Sequence, residues 1–208
     1  MKVSAVIVNS SKKSSKIPKL NTSLFLSFLA VFSGLVSGTL LYCFLKESLY
    51  NDVFSIFISF FSDYTQKSSP EILSGLIVLE LPYIFVMLIF SFSAIGYPFC
   101  LILTFIRSLA PTVLFSHLYC EYGLKGAEYV FLVLIAGEII SLFGVLLMTQ
   151  SSFTLSRFFA DNIKNAKGES TAEIKAFLLK FFVSTAIILL SNIVTFLTVS
   201  LFSDLFVF

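Results

Sequence analysis

The sequence predicts an all-α membrane protein, a polytopic bundle of about five transmembrane helices. Of its 208 residues, 57% are hydrophobic and only 12% are charged. A typical soluble domain has about 25% charged residues. Uninterrupted apolar stretches reach about 20 residues, the helix length that crosses a hydrocarbon core about 30 Å thick. Lipid is therefore the expected solvent of this chain.

The chain begins with a basic tail over residues 1–22, which carries lysines and no acidic residue. The rest, residues 23–208, is predicted to be a single transmembrane helical domain, with its first span at 23–45. Ala30, Gly34 and Gly38 recur at every fourth position of this span and form a smooth face for close helix packing. Packing within the chain is favoured, and homodimerisation remains the alternative.

An acidic stretch, from Lys46 to Glu71, separates the first two spans. Its apolar segment at 53–61 is too short to span and predicts an interfacial helix on the outer side. The second span is predicted at 71–92 and the third at 98–118. Gly96-Tyr97-Pro98 forms a tight turn between them, so these two spans are expected to be antiparallel neighbours.

The fourth span is predicted at 129–150 and the fifth at 177–202. The polar stretch between them has the apolar spacing of an amphipathic helix, which we expect to lie along the inner membrane surface. The residues of that apolar face are Leu155, Phe158, Phe159 and Ile163.

The distribution of basic residues predicts the orientation. Five spans with a cytoplasmic N-terminus leave only Lys46, Lys67 and Lys125 outside. The same arrangement puts the basic tail and a second basic group inside, as the positive-inside rule requires. That second group consists of Arg157, Lys164, Lys167, Lys175 and Lys180.

Three charged residues lie near the middle of successive spans: Glu80, Arg107 and Glu138. Because a charge at the bilayer centre costs about 2.5–3.5 kcal/mol on insertion scales, these side chains should face one another rather than lipid. Pro82 lies two residues after Glu80, and Pro111 removes the hydrogen bond to the carbonyl of Arg107. Helix kinks are therefore predicted at both prolines.

Such a cluster has three interpretations. It is a structural lock that holds the bundle in register, a transport or gating site, or a docking site for a partner. Asn192, in the fifth span, either joins this polar network or forms an ordinary hydrogen bond between helices.

The motifs of several enzyme classes are missing from the sequence. It has no HExxH, no GxSxG, no P-loop and no dinucleotide fingerprint, so we expect no enzyme and no cofactor. The three cysteines have no CxxC or Cys/His spacing, so no metal site is predicted. The net charge of +2 is split between two groups, which does not favour nucleic-acid binding.

The layout resembles the stage II sporulation protein M family of bacterial membrane proteins from about residue 27 to 203. The likeness rests on the stretches at 33–41 and 52–62, and on Ile95-Gly96-Tyr97-Pro98 followed by Arg107 and then Glu138. Ser108 and Ala110 differ from the glycines that the family often has after the basic position.

The resemblance implies a non-enzymatic scaffold or anchor in the bacterial inner membrane. Its expected partners are membrane lipids and envelope proteins such as peptidoglycan hydrolases, in an engulfment-type role if the host forms spores. The alternative is a permease-like transporter subunit whose site is the midplane Glu-Arg-Glu cluster, served by a separate cytoplasmic ATPase.

Overall fold

The computed structural model describes residues 22–45, 69–165 and 171–202. Over these residues the chain is helical except for a short turn at 92–95, so the prediction of an all-α fold is confirmed. The basic tail before Thr22 and the predicted interfacial helix at 53–61 lie outside this part of the chain. The five α-helices are α1 (Thr22–Leu45), α2 (Ser69–Ser91), α3 (Gly96–Tyr129), α4 (Ile135–Asn165) and α5 (Thr171–Phe202), with a π-helical segment at Val130–Leu134 between α3 and α4.

Four helical stretches are long and apolar enough to cross a membrane. Their surface is apolar: the side chains of Phe32, Phe85 and Ile139 are each more than half exposed. A soluble protein rarely exposes so much contiguous apolar surface, whereas lipid solvates it. The four stretches are Thr22–Phe44, Leu73–Ser91, Gly96–Ile163 and Ile174–Phe202.

The third of these stretches is a helical hairpin rather than one rod. Arg107 contacts Glu138, and the earlier Thr104 contacts the later Thr149, so the chain has reversed its direction between them. The reversal occurs at Gly123, whose backbone angles are φ 58° and ψ −132°. Residues with a Cβ rarely adopt this conformation. The residues between the predicted third and fourth spans, 119–128, are thus helical except for a one-residue break at Gly123.

Neighbouring helices along the chain run antiparallel. The rings of Phe90 and Phe99 stack across the turn at 92–95, with their centroids 5.0 Å apart. At the other end of the bundle, the hydroxyl of Thr198 in α5 donates to the carbonyl of Val133. We call the end at residues 92–95 the hairpin end and the opposite end the Gly123 end.

The first helix lies parallel to α3 and packs closely against it through its small residues. A Cβ added to Gly34 would lie 2.5 Å from the carbonyl oxygen of Phe105. At Gly38 the carbonyl oxygen of Leu109 would lie 2.6 Å away. Ala30 is also buried, at 7% exposure. This face is therefore occupied within the chain.

The predicted amphipathic surface helix differs from what the structure shows, because residues 151–165 continue α4. No glycine or proline interrupts the chain between residues 145 and 165. The extension packs against the rest of the bundle: Leu155 is 3% exposed, and Ser156 donates to the carbonyl of Ser93 at 2.5 Å. Of the predicted apolar face, Ile163 is 74% exposed.

Two apolar clusters fill the interior, one toward each end. The cluster at the hairpin end includes Met87, Met148 and Ile188, and none of their side chains is exposed. The cluster at the Gly123 end includes Leu114 and Val133. On each helix from α2 to α5, the segment between these clusters carries the polar residues described below.

We predict that Gly123→Ala lowers the free energy of unfolding by about 1–3 kcal/mol, because the added Cβ strains this backbone conformation. Unfolding of the purified protein in detergent micelles measures the change. The control is Leu124→Ala, which truncates a side chain that is 78% exposed and should change stability by less than about 0.5 kcal/mol. Equal stability of the Gly123→Ala and unsubstituted proteins would contradict the assignment of this turn.

Candidate functional site

The structure brings together the three midspan charges, which we call the charged cluster: Glu80, Arg107 and Glu138. Arg107 projects from α3 between Glu80 of α2 and Glu138, which lies in the first turn of α4. The Nε atom of Arg107 donates to Oε2 of Glu80 at 3.1 Å, and its Nη2 donates to Oε1 of the same carboxylate. Its Nη1 reaches Oε1 of Glu138 at 3.5 Å.

The two carboxylates are held unequally. Glu80 receives two donors of the guanidinium fork, an arrangement that gives strong and directional pairing, and its side chain is 8% exposed. Glu138 receives one long contact, and its side chain is 18% exposed. Arg107 is thus paired chiefly with Glu80, and Glu138 is the less constrained acid.

Ser141 completes the set of acceptors around Arg107. Its Oγ accepts a hydrogen bond from Nη2 at 3.0 Å. Ser141 follows Glu138 by three residues on α4, so both side chains lie on the same face of the helix. Every nitrogen of the guanidinium therefore has an acceptor on α2 or α4.

A cavity of about 160 Å³ adjoins the charged cluster on the side of the Gly123 end. Leucine, alanine, proline and phenylalanine side chains form its apolar wall. Its polar wall includes the three charged residues together with Ser141, Asn192 and Thr195. The cavity lies where α2, α3, α4 and α5 meet.

Asn192 is the most unusual residue of this wall. It is only 6% exposed, and its Nδ2 has no hydrogen-bond partner among the described residues. A buried amide without a partner is costly, since its lost hydration is not replaced. A water or a ligand in the cavity could accept a hydrogen bond from this nitrogen.

Buried hydroxyls continue the polar interior from the charged cluster toward the hairpin end. Thr104 lies one turn from Arg107, and its Oγ1 is 2.6 Å from Oγ1 of Thr149. The hydroxyl of Tyr83, one turn from Glu80, lies beside both threonines. It does not meet hydrogen-bond geometry with either.

The two prolines lie inside continuous helices. Pro111 lines the cavity, and no residue near it has non-helical backbone angles, because the only such residue of α3 is Gly123. Pro82 lies within α2. The kinks expected from the sequence therefore remain predictions.

Sequence reasoning left the role of Asn192 open and missed Ser141, Thr195 and Tyr83. The spacing of Ser141 and Tyr83, each three residues after a midspan glutamate, was an available signal. No three His, Cys, Asp or Glu side chains in the described ranges form a group that could hold a metal ion.

Comparisons of the chain with protein-family models, with curated proteins and with solved structures find no match.

We predict strong coupling between Glu80 and Arg107. Arg107→Gln leaves two buried carboxylates facing each other, so it should lower the free energy of unfolding by roughly 3–5 kcal/mol. The double variant with Glu80→Gln should cost less than the sum of the two single variants, by about 0.5–3 kcal/mol. Unfolding in detergent micelles gives the free energy of unfolding of each of the three variants.

The matched control for this cycle is Lys180→Gln, which removes an exposed charge of α5 and should change stability by less than about 0.5 kcal/mol. If the change in the free energy of unfolding of the double variant equalled the sum of the changes of the two single variants, a direct Glu80–Arg107 pair would be contradicted.

Proposed function

We propose that this chain is a non-enzymatic membrane scaffold or anchor that organises envelope proteins in a bacterial inner membrane. The observation that supports this role is the set of four hydrogen bonds that Arg107 donates to acceptors on α2 and α4. In an apolar medium such contacts favour one relative position of the three helices. A fixed bundle is suited to holding partners in a defined arrangement.

The proposed topology has five crossings, a cytoplasmic N-terminus and a C-terminus on the outer side. The alternating directions of the helices support an odd number of crossings. The distribution of basic residues supports the orientation, because the exposed Arg157, Lys175 and Lys180 lie toward the hairpin end. Lys125 lies at the Gly123 end.

The proposed partners are exported envelope proteins, with peptidoglycan hydrolases as the first candidates, as the resemblance to the stage II sporulation protein M family implies. In a spore former this would be an engulfment-type role. The acidic stretch between the first two spans would lie on the outer side, where it could bind basic partner surfaces through charge complementarity.

A second candidate function is that of a permease-like transporter subunit. The cavity beside Glu138 and the unpartnered amide nitrogen of Asn192 favour it, because a pure lock requires neither. Polar cavities at membrane depth are typical of transport sites. In that case the end of α4, around Phe158 and the exposed Ile163, would be the docking surface for a cytoplasmic ATPase.

The topology predicts opposite accessibility of two thiols. Cys120 is exposed toward the Gly123 end. In a variant that retains only this cysteine, a membrane-impermeant maleimide should label it in spheroplasts. In a variant that lacks all native cysteines, Ile163→Cys at the hairpin end should react only after permeabilisation.

Residue 163 is a matched site for this test because the side chain it replaces is 74% exposed. The reverse pattern would contradict the orientation, and labelling of both thiols from one side would contradict the proposed crossings.

The scaffold role predicts which proteins co-purify with the tagged chain from gently solubilised membranes. We expect cell-wall hydrolases or other exported envelope proteins. Neutralising the acidic stretch with Glu47→Gln, Asp52→Asn and Asp63→Asn should reduce their recovery. The control is Lys12→Gln with Lys13→Gln in the basic tail, which should not. Recovery of a cytoplasmic ATPase without wall enzymes would contradict the scaffold role and favour transport.

A further inference from the structure

The residues around the cavity do not balance in formal charge. Arg107 contributes one positive charge, and Glu80 and Glu138 contribute two negative charges, which leaves one negative charge in excess. The neighbouring elements do not correct this excess. Tyr83 is the other titratable group facing the cluster from α2, α5 offers only uncharged Ser191, Asn192 and Thr195, and the described part of α1 has no charged residue.

An excess charge at this depth is unfavourable. The penalty for one uncompensated ion in a protein interior is several kcal/mol even after relaxation. Because Arg107 is engaged by both oxygens of Glu80, it neutralises Glu138 only through the 3.5 Å contact. The cluster as a whole therefore favours a further positive charge, and Glu138, the more exposed of the two acids, is the one placed to receive it.

The cavity offers the space and the ligand atoms for that charge. Besides Glu138, its wall presents the hydroxyls of Ser141 and Thr195 and the amide of Asn192. A space of about 10–15 Å³ by this measure holds one water, so 160 Å³ accommodates a small ion with several waters. The free Nδ2 of Asn192 can donate to a water in the shell of that ion.

The ligand set also selects the class of ion. Divalent Mg²⁺ and Ca²⁺ bind chiefly through carboxylates and several oxygens, whereas only one carboxylate here, that of Glu138, is not held by two donors of Arg107. Oxygen ligands without sulfur or imidazole disfavour the softer transition metals. An anion is excluded by the excess negative charge. A monovalent cation, either an alkali metal ion or a proton, has the charge that the site lacks.

We infer that the cavity is a binding site for one exchangeable monovalent cation, which pairs with Glu138 and is completed by Ser141, Asn192 and Thr195. The site rests on the second candidate function, transport, for which it would specify the ion. It does not depend on the scaffold role. The test below measures cation binding by the purified protein and needs neither a partner nor transport. Its failure would therefore leave both proposed functions untouched.

Thermal unfolding of the purified full-length protein in detergent tests the site with NaCl, KCl or N-methylglucamine chloride at constant ionic strength. If an alkali ion binds, Na⁺ or K⁺ should raise Tm with the logarithm of its concentration above Kd, by about 5 °C at roughly 50 times Kd, since a ligand of the folded state stabilises it. Glu138→Gln should abolish this shift. It should nevertheless be at least as stable as the unsubstituted protein in N-methylglucamine, because the substitution removes the excess charge.

Asn192→Leu provides a second variant with a distinctive signature. It removes a buried polar group that lacks a protein partner, so Tm in N-methylglucamine should be unchanged or higher. The shift caused by Na⁺ or K⁺ should be lost or should require much higher concentrations. The control is Ile139→Ala, adjacent to Glu138 but 62% exposed, which should retain the shift.

If the cation is a proton, Tm will not depend on Na⁺ or K⁺. In that case infrared difference spectra at neutral pH should show the carbonyl stretch of a neutral carboxyl group that Glu138→Gln removes. The absence of both signatures, or a Glu138→Gln protein that fails to fold, would overturn the inference.

Discussion

The pairing of Arg107 with Glu80 is the interaction on which the arrangement of the bundle depends. In lipid, helices gain little from the hydrophobic effect when they associate, since lipid tails are as apolar as the side chains. A buried guanidinium is different, because its donors must find acceptors within the protein. Glu80 and Ser141 satisfy that requirement from two helices, and the positions of α2 and α4 around α3 follow from it.

Much of this arrangement was predictable from the residues alone, because a charged side chain within an apolar span must pair with another group inside the protein. The depths of Glu80, Arg107 and Glu138 along their spans indicated that they would meet. The difference between the two glutamates in their contacts with Arg107 was not predictable. Whether Glu80 or Glu138 receives two donors of the guanidinium depends on helix rotations that hydrophobic periodicity does not determine. Asn192 could be placed in a span, but its exposure to a cavity could not.

The errors at helix ends have a common physical reason. A span estimated from hydropathy ends where polar residues begin, whereas a helix ends only where its backbone hydrogen bonds are interrupted. Serine and threonine hydroxyls at the end of α4 bond to backbone carbonyls within the chain, so polarity did not end the helix. Conversely, Gly123 reverses the chain within a stretch of otherwise helical residues.

The length of α4 has a mechanical consequence. Its 31 residues extend about 46 Å at 1.5 Å per residue, more than the roughly 30 Å of a hydrocarbon core. The helix must therefore tilt or project from the bilayer. Glu138 lies in its first turn and Phe158 in its second half. The segment between them has no proline, and its one glycine, Gly144, packs closely against Ile188 of α5. A protein that pushed on the projecting end would therefore move α4 as one rigid helix and displace Glu138 with it.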